Sequence, residues 1–166
     1  MLSSIKNWLS KHLLKEKSAH KIAASVCVGT FIAISPTIPL QTPLAMAICW
    51  VCRLNIPVAV TVLYVVNNPF TLIPIYAVGY ALGVWFFNSL IKIDMEPYNP
   101  WWVERFNEYI SKYIDMKKYL GSDFCFWCLI IGGFLFATMV SLILYPILTK
   151  VLTRLMAQHD IKRTGQ

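Results

Sequence analysis

Three of the chain's nine prolines fall within eight residues, in the sequence Ser35-Pro36-Thr37-Ile38-Pro39-Leu40-Gln41-Thr42-Pro43. Each proline lacks a backbone N–H and clashes with a preceding carbonyl, and the residue before it is driven towards extended conformations. The flanking segments, Ile22–Ser35 and Leu44–Cys52, are apolar. Irregular backbone at membrane depth is tolerated only where protein or a water-filled cavity surrounds it. The pattern therefore predicts a helix that is broken inside a membrane.

The composition places the chain in the membrane class. Apolar residues make up 57%, mean hydropathy is +0.58, and charged residues make up only 14%, whereas soluble domains carry roughly 25%. Between Ala23 and Ile91 the only charged residue is Arg53, and between Phe124 and Thr149 there is none. Uncharged stretches of about 18 residues or more are typical of membrane spans. We therefore predict an all-α, polytopic membrane protein with proline-broken or re-entrant transmembrane helices and interfacial amphipathic helices.

A second interruption follows the first. Ile56–Val66 is apolar, Asn67-Asn68-Pro69 interrupts it, and Phe70–Ile91 continues with Pro74 inside. Thr37–Leu40 is similar to Leu72–Ile75, which raises the hypothesis of an internal repeat. Paired interrupted segments are the best sequence indication of a transporter binding site.

The two ends of the chain are basic, and the formal net charge is +7. The lysines of residues 1–21 and the cations of residues 150–166 each adjoin an apolar segment, which predicts cytoplasmic ends by the positive-inside rule. Residues 1–21 are predicted to form an amphipathic helix on the inner leaflet, in contact with membrane lipids; a frayed polar tail is the alternative. No aromatic-interleaved basic groove is present, so we predict no nucleic-acid partner.

The predicted organisation has five segments, in the cell inner membrane. They are a basic amphipathic helix at 1–21, a membrane core of broken helices at 22–93, an interfacial amphipathic helix region at 94–123, a transmembrane helix at 124–149 and a cytoplasmic tail at 150–166. Asn99-Pro100 is predicted to start the interfacial helix. Gly79 and Gly83 form a small-xxx-small pair that lets helices approach closely.

Two topologies are compatible with this pattern. In the first, which we favour, four segments cross the membrane: Ile22–Thr42, Pro43–Val66, Pro69–Ile91 and Phe124–Thr149. In this topology the proline regions can also dip into the membrane without crossing it. In the second, Ile22–Cys52 and Ile56–Ile91 are re-entrant hairpins, and Arg53 lies at the interface. The first keeps both basic ends cytoplasmic, and the second does not.

The segment from Lys21 to Ile91 resembles a bacterial membrane family, domain of unknown function 2062. The resemblance rests on Ile22–Ile32 before Pro36, on Gln41-Thr42, on Arg53-Leu54-Asn55-Ile56-Pro57, and on Asn68-Pro69-Phe70-Thr71 followed by Pro74, Tyr76 and Gly79. It implies a multi-spanning membrane domain, in some members joined to a glycosyltransferase domain. From Lys92 onward we expect the chain to lie outside the match.

Arg53 is the strongest candidate for function. A cation deep in a membrane costs roughly 2.5–3.5 kcal/mol on insertion scales and needs a partner or a wet cavity. The apolar segments contain no carboxylate, and an unpaired guanidinium suits a phosphate. The alternative is an interfacial arginine that reaches the headgroups.

Buried amides and hydroxyls form the second group of candidates. They are Gln41, Thr42, Asn55, Asn67, Asn68 and Thr71, beside the structural breaks at Pro36, Pro39, Pro69 and Pro74. Such groups must bond to each other, to freed backbone or to a ligand. Capping of the broken helix ends and anion binding at inward-facing helix N-termini are both compatible with them.

Catalytic and metal sites are not predicted. Cys49–Cys52 and Cys125–Cys128 are Cys-x-x-Cys pairs, but each lies in an apolar segment where thiols behave as small hydrophobes. The histidines lie in the basic ends, and no nucleophile or phosphate-loop motif is present. We expect no enzyme activity and no cofactor.

Two functions remain. The first is transport or flipping of an anionic, phosphate-bearing, lipid-linked substrate, with the chain acting as a homo-oligomer. The second is a non-transporting scaffold or accessory subunit for an envelope-biogenesis or glycosyltransferase system, which docks its partner through the helix Trp101–Leu120.

Overall fold

The computed structural model describes residues 18–37, 40–92, 99–111 and 124–164. Every regular element in these ranges is helical, which confirms the predicted all-α fold. The helices are α1 Ala19–Ile34, α2 Gln41–Val51, α3 Ile56–Val66, α4 Pro69–Trp85 with a π-helical continuation Phe86–Ile91, α5 Trp101–Ser111 and α6 Phe126–Thr164. The predicted helix at 1–21 lies almost wholly outside the described residues.

The first proline cluster breaks the chain as predicted. α1 ends at Ile34, where the Ser35 backbone N–H and the Ser35 hydroxyl both donate to the carbonyl of Phe31, at 2.9 and 2.7 Å. The chain resumes as α2 at Gln41. Pro43 is tolerated because it lies in the first turn of α2, where its missing N–H breaks no helical hydrogen bond.

α2 and α3 form a tight antiparallel hairpin. At its tip the Leu54 N–H donates to the Cys49 carbonyl at 2.7 Å. At its open end the Thr42 and Tyr64 hydroxyls lie 3.1 Å apart. Each helix has 11 residues and is about 16 Å long, about half of the hydrocarbon thickness. The prediction that Pro43–Val66 crosses as one segment is therefore wrong, because the chain reverses at 52–55.

The hairpin packs against α1. The Asn55 N–H donates to the Ser25 hydroxyl at 2.8 Å, so the tip returns to the level of the second turn of α1. Gly29 faces the carbonyl of Ala59, where an added Cβ would have no room. Up to residue 66 the helices thus follow the second predicted topology, in which Ile22–Cys52 is a hairpin. Beyond residue 66 they do not, because α4 and its π-helical continuation form one long element.

α4 and α6 pack along a seam of glycines. A Cβ at Gly83 would lie far inside contact distance of the Cys128 carbonyl, and one at Gly132 would meet the backbone of both Gly79 and Gly83. The predicted role of Gly79 and Gly83 in close helix approach is confirmed. α1 lies against α6 in the opposite direction, with Phe31 near Phe134 (ring centroids 6.1 Å) and His20 near Tyr145 (3.4 Å).

Two predicted element boundaries are wrong. Pro74 lies inside α4 without ending it, and α6 continues through Pro146 and Thr149 to Thr164. The similarity of Thr37–Leu40 to Leu72–Ile75 is no structural repeat, since Thr37 and Leu40 lie outside any helix, whereas Leu72–Ile75 lies inside α4.

α5 docks on the start of α6 through two amides. The Asn99 side chain donates to the Phe124 carbonyl and accepts from the Phe126 N–H, both at 3.0 Å. Asn107 donates to the same carbonyl at 3.1 Å. Asn99 was predicted to cap α5, but its side chain instead satisfies backbone groups at the start of α6.

Within the described ranges, two helical segments are long and apolar enough to cross a membrane, Phe70–Ile91 and Phe126–Ala157. Only 22% of the apolar window in each is buried inside the protein, whereas the core helix of a soluble protein is mostly buried. Large apolar side chains such as Phe70, Ile73 and Leu142 are exposed. An apolar surface this extensive indicates association with a membrane.

Candidate functional site

Arg53 occupies the tip of the α2–α3 hairpin. Its backbone has φ of 52°, the left-handed conformation, because the chain reverses there between two helices. The side chain is exposed, and its guanidinium has no hydrogen bond or ion pair with any residue that the structure describes. An open groove of about 560 Å³ adjoins it, lined by Cys49, Trp50, Val51, Leu54 and Ile56.

Asn55 holds this tip in place. Its side-chain oxygen accepts the Val58 N–H at 3.3 Å and so caps α3, while its own N–H bonds to Ser25. The Ser25 hydroxyl in turn donates to the Lys21 carbonyl at 2.7 Å. The side-chain oxygen of Asn55 is thus committed to the backbone, and this cap helps to fix the position of Arg53.

Gln41 lies at the other end of the hairpin and is only 5% exposed. Its Nε2 donates to the Ser35 carbonyl at 3.2 Å, and its Oε1 accepts from Asn67 Nδ2. The Tyr76 hydroxyl faces Gln41 without a hydrogen bond of normal geometry. Thr37 lies in the loop between Ser35 and Gln41. We call these five residues, Ser35, Thr37, Gln41, Asn67 and Tyr76, the Gln41 junction.

Two hydroxyls of the Gln41 junction have unused hydrogen-bonding capacity. Thr37 Oγ1 and Tyr76 Oη are buried, and neither has a hydrogen bond of strict geometry within the described part of the chain, although Tyr76 Oη interacts with the Gln41 side chain. Leaving a buried polar group unsatisfied costs about 1–3 kcal/mol, and the great majority of such groups in folded proteins have a partner.

The remaining predicted residues cap helix ends. Asn68 Oδ1 accepts the Phe70 N–H at 3.3 Å, and Thr71 Oγ1 donates to the carbonyls of Val66 and Asn68 at 2.5 and 3.0 Å. Thr42 pairs with Tyr64. Pro69 is the first residue of α4, and Pro36 packs on Gly133; Pro39 lies outside the described residues.

The predicted ligand-binding residues do not form one site. Arg53 and Asn55 lie at the tip of the hairpin, whereas Gln41 and Thr42 lie at its open end, about 16 Å away along α2. Sequence reasoning did not single out Ser35, Thr37 or Tyr76. The position of Ser35 and Thr37 on either side of Pro36 was an available signal, while Tyr76 looks like any aromatic residue of an apolar helix.

The cysteines are all free thiols. Cys27, Cys49, Cys125 and Cys128 are buried, and Cys52 beside Arg53 is exposed. Cys125 precedes α6, and its sulfur accepts the Cys128 N–H at 3.2 Å. Among the described residues no group of three or more His, Cys, Asp or Glu side chains is placed to hold a metal ion.

Comparison with known sequences gives one family. A family described as an uncharacterized protein conserved in bacteria (DUF2062) matches residues 2–162. The expectation that the chain leaves the family at Lys92 is wrong, since α5 and most of α6 lie inside the match. Comparison with curated proteins and with solved structures gives no match. The chain is therefore a member of the bacterial family of domain of unknown function 2062.

Proposed function

We propose that this chain is a small, multi-pass protein of the bacterial inner membrane that transports or flips an anionic, phosphate-bearing, lipid-linked substrate. In this proposal α4 and α6 cross the membrane, and both termini are cytoplasmic. α1 and α2 together form a re-entrant hairpin that returns the chain to the cytoplasmic side, where the α2–α3 turn presents Arg53 to the headgroup region.

The position of the cations supports this orientation. The Asn55–Ser25–Lys21 hydrogen bonds tie the hairpin tip to the start of α1, and His20 at that start contacts Tyr145, one turn before Lys150. Arg53 therefore lies towards the end of the molecule that carries Lys21 and Lys150. The positive-inside rule assigns such an end to the cytoplasm.

The guanidinium of Arg53, which pairs with no residue that the structure describes, is the observation that carries the proposal. A guanidinium presents several N–H donors in a fixed planar fork, which matches two oxygens of a phosphate. Arg53 is exposed, held in place by the capped turn, and adjoined by an open groove whose wall includes Trp50, which is 76% exposed. This arrangement suits a phosphate headgroup with part of an apolar chain beside it.

The helix breaks support the proposal that the chain transports its substrate and does not only bind it. Pro36, which follows the end of α1, packs on Gly133. Gly133 belongs to the stretch of α6 between Phe126 and Thr149, which has no charged residue. The Gln41 junction thus supplies hydrogen-bonding groups inside an apolar region. Interrupted helices of this kind provide polar groups along the path of a substrate in transporters.

Reconstitution tests the proposal. Proteoliposomes would carry a fluorescent lipid monophosphate or a fluorescent neutral lipid with the same chains, and a membrane-impermeant quencher would report movement between leaflets. We expect the protein to accelerate movement of the phosphate-bearing lipid well above that of the neutral lipid. Equal rates with and without protein would contradict the proposal.

The exposed aromatic face of α5 favours a second candidate function, an accessory subunit for an envelope-biogenesis or glycosyltransferase enzyme. Trp101 and Tyr109 are 72% and 63% exposed. If they dock a partner, the double variant Trp101→Ala, Tyr109→Ala should lose a co-purifying protein that Arg53→Ala retains. Unchanged co-purification in the double variant would contradict this candidate.

A further inference from the structure

An open groove of about 620 Å³ lies between α4 and the start of α6, and pockets of this volume commonly hold a small organic ligand. Small side chains on α4 create it, since Ala77 and Ala81 lie one turn apart and both are exposed. The larger lining residues are Tyr76, Tyr80, Val84, Trp85, Phe124 and Leu129. We call the surface formed by these eight residues the α4–α6 groove.

The aromatic wall of the groove is held in place by contacts on its inner side. The rings of Tyr80 and Phe124 stack with their centroids 5.4 Å apart and an interplanar angle of 9°. Tyr80 is buried, and its hydroxyl accepts the Cys125 N–H at 3.2 Å. The carbonyl of Phe124 accepts from the side chains of Asn99 and Asn107. The groove is therefore already formed without an occupant.

The lining offers little to a polar ligand. The hydroxyl of Tyr80 bonds to backbone, and the hydroxyl of Tyr76 interacts with the Gln41 side chain. No charged residue is among the described residues that line the groove. A charged or strongly polar group would lose its hydration there without gaining a partner. The chemistry of the groove therefore selects an apolar occupant.

The surroundings of the groove select a hydrocarbon chain. Its two walls come from the helical segments that are long and apolar enough to cross a membrane. Ala77, Ala81 and Trp85 lie on successive turns, so the groove extends about 12 Å along α4, in the direction that lipid chains take beside a spanning helix. A partner helix is about 10–12 Å across and would pack over more than two turns. A single chain fits, and it restores contacts that an empty groove would lack.

We propose that the α4–α6 groove binds one acyl chain of a bilayer phospholipid, aligned along α4. The bound chain packs on the stacked rings of Tyr80 and Phe124, where α5 docks on the start of α6. This inference requires only that α4 and α6 face lipid. It is independent of Arg53 and of the proposed transport function.

Photo-crosslinking of the full chain in phosphatidylcholine vesicles tests the site. Phosphatidylcholine with a diazirine in one acyl chain is present in both leaflets, and mass spectrometry maps the crosslinked residues. The comparison surface on α6 consists of Met139, Leu142 and Ile143, which are exposed and do not line the groove. Bilayer hydrocarbon is as apolar as the groove, so only the additional packing contacts favour binding. We expect roughly threefold to tenfold more label at Phe124 and Leu129 than on the comparison surface.

Variants that fill the groove give the second measurement. Ala81→Trp places an indole in the groove from its exposed side and should lower the label at Phe124 and Leu129 to the level of the comparison surface. Ala77→Leu should give an intermediate label, and it keeps the test valid if Ala81→Trp does not fold. Met139→Trp is the matched control outside the groove and should leave the label unchanged.

Equal labelling of the groove and the comparison surface in the wild type would overturn the site. It would mean that lipid contacts the groove only transiently, or that another part of the chain or a second copy covers it. Undiminished label at Phe124 and Leu129 in the folded groove-filling variants would overturn it as well.

Discussion

Replacing Arg53 with alanine is expected to slow movement of the lipid monophosphate by on the order of tenfold to a hundredfold. A charge-assisted hydrogen bond contributes about 1.5–3 kcal/mol, and each 1.4 kcal/mol corresponds to a factor of about ten. The structure offers no second cation in the groove lined by Cys49, Trp50, Val51, Leu54 and Ile56 that would take over. The measurement is the initial rate in the quenching assay at equal protein density.

Two variants separate loss of the phosphate contact from other effects. Arg53→Lys keeps the charge but loses the planar fork, so its rate should lie between those of the wild type and Arg53→Ala. Arg105→Ala removes an exposed arginine from α5, away from the hairpin tip, and should leave the rate unchanged. A wild-type rate in Arg53→Ala would remove Arg53 from the mechanism.

Gly132→Ala is expected to prevent correct packing of α4 on α6. The added Cβ would meet the Gly79 carbonyl oxygen and the Gly83 backbone well under 3.0 Å, and backbone cannot rotate away as a side chain can. Overpacking of cores typically costs about 1–3 kcal/mol, and a clash with the backbone of two neighbouring turns should exceed this range. We expect little monodisperse protein in detergent, or a melting temperature far below that of the wild type.

Gly79→Ala is the graded control on the same seam. Its nearest contact would be the Gly133 Cα at 3.3 Å, so a shift of a few tenths of an ångström accommodates it. Its melting temperature should fall much less. Equal stability of Gly132→Ala and wild type would show that the two helices are not in the close contact described here.

Much of the fold follows from the sequence because apolar composition and proline have local, strong effects. The break between α1 and α2 was predicted from three prolines, and the close approach at Gly79 and Gly83 from their spacing. The reversal at 52–55 was present only in the alternative topology, because the left-handed conformation of Arg53 depends on packing that the sequence pattern does not show. The predicted break at Pro74 is absent, and α6 continues through Pro146, because packed helices can accommodate a proline and its missing hydrogen bond.

The candidate site was harder to predict than the fold. Arg53 was identified because a lone charge in an apolar region is costly, and that argument needs no structure. The partners of the amides depend on which helix ends meet, so Asn55, Asn68 and Thr71 proved to be caps of helix ends. Tyr76 joined the Gln41 junction only because the fold brings its side chain beside that of Gln41, which no local pattern encodes.

The account depends on an α2–α3 hairpin tip that meets water on the cytoplasmic side, and the native Cys52 beside Arg53 reports on it directly. A membrane-impermeant maleimide would be applied to sealed inverted vesicles and to sealed right-side-out vesicles, with Cys52→Ser as the control for the buried thiols. We predict labelling of Cys52 in inverted vesicles and none in right-side-out vesicles. Labelling from the outer face, or protection on both faces until the protein is denatured, would contradict the account.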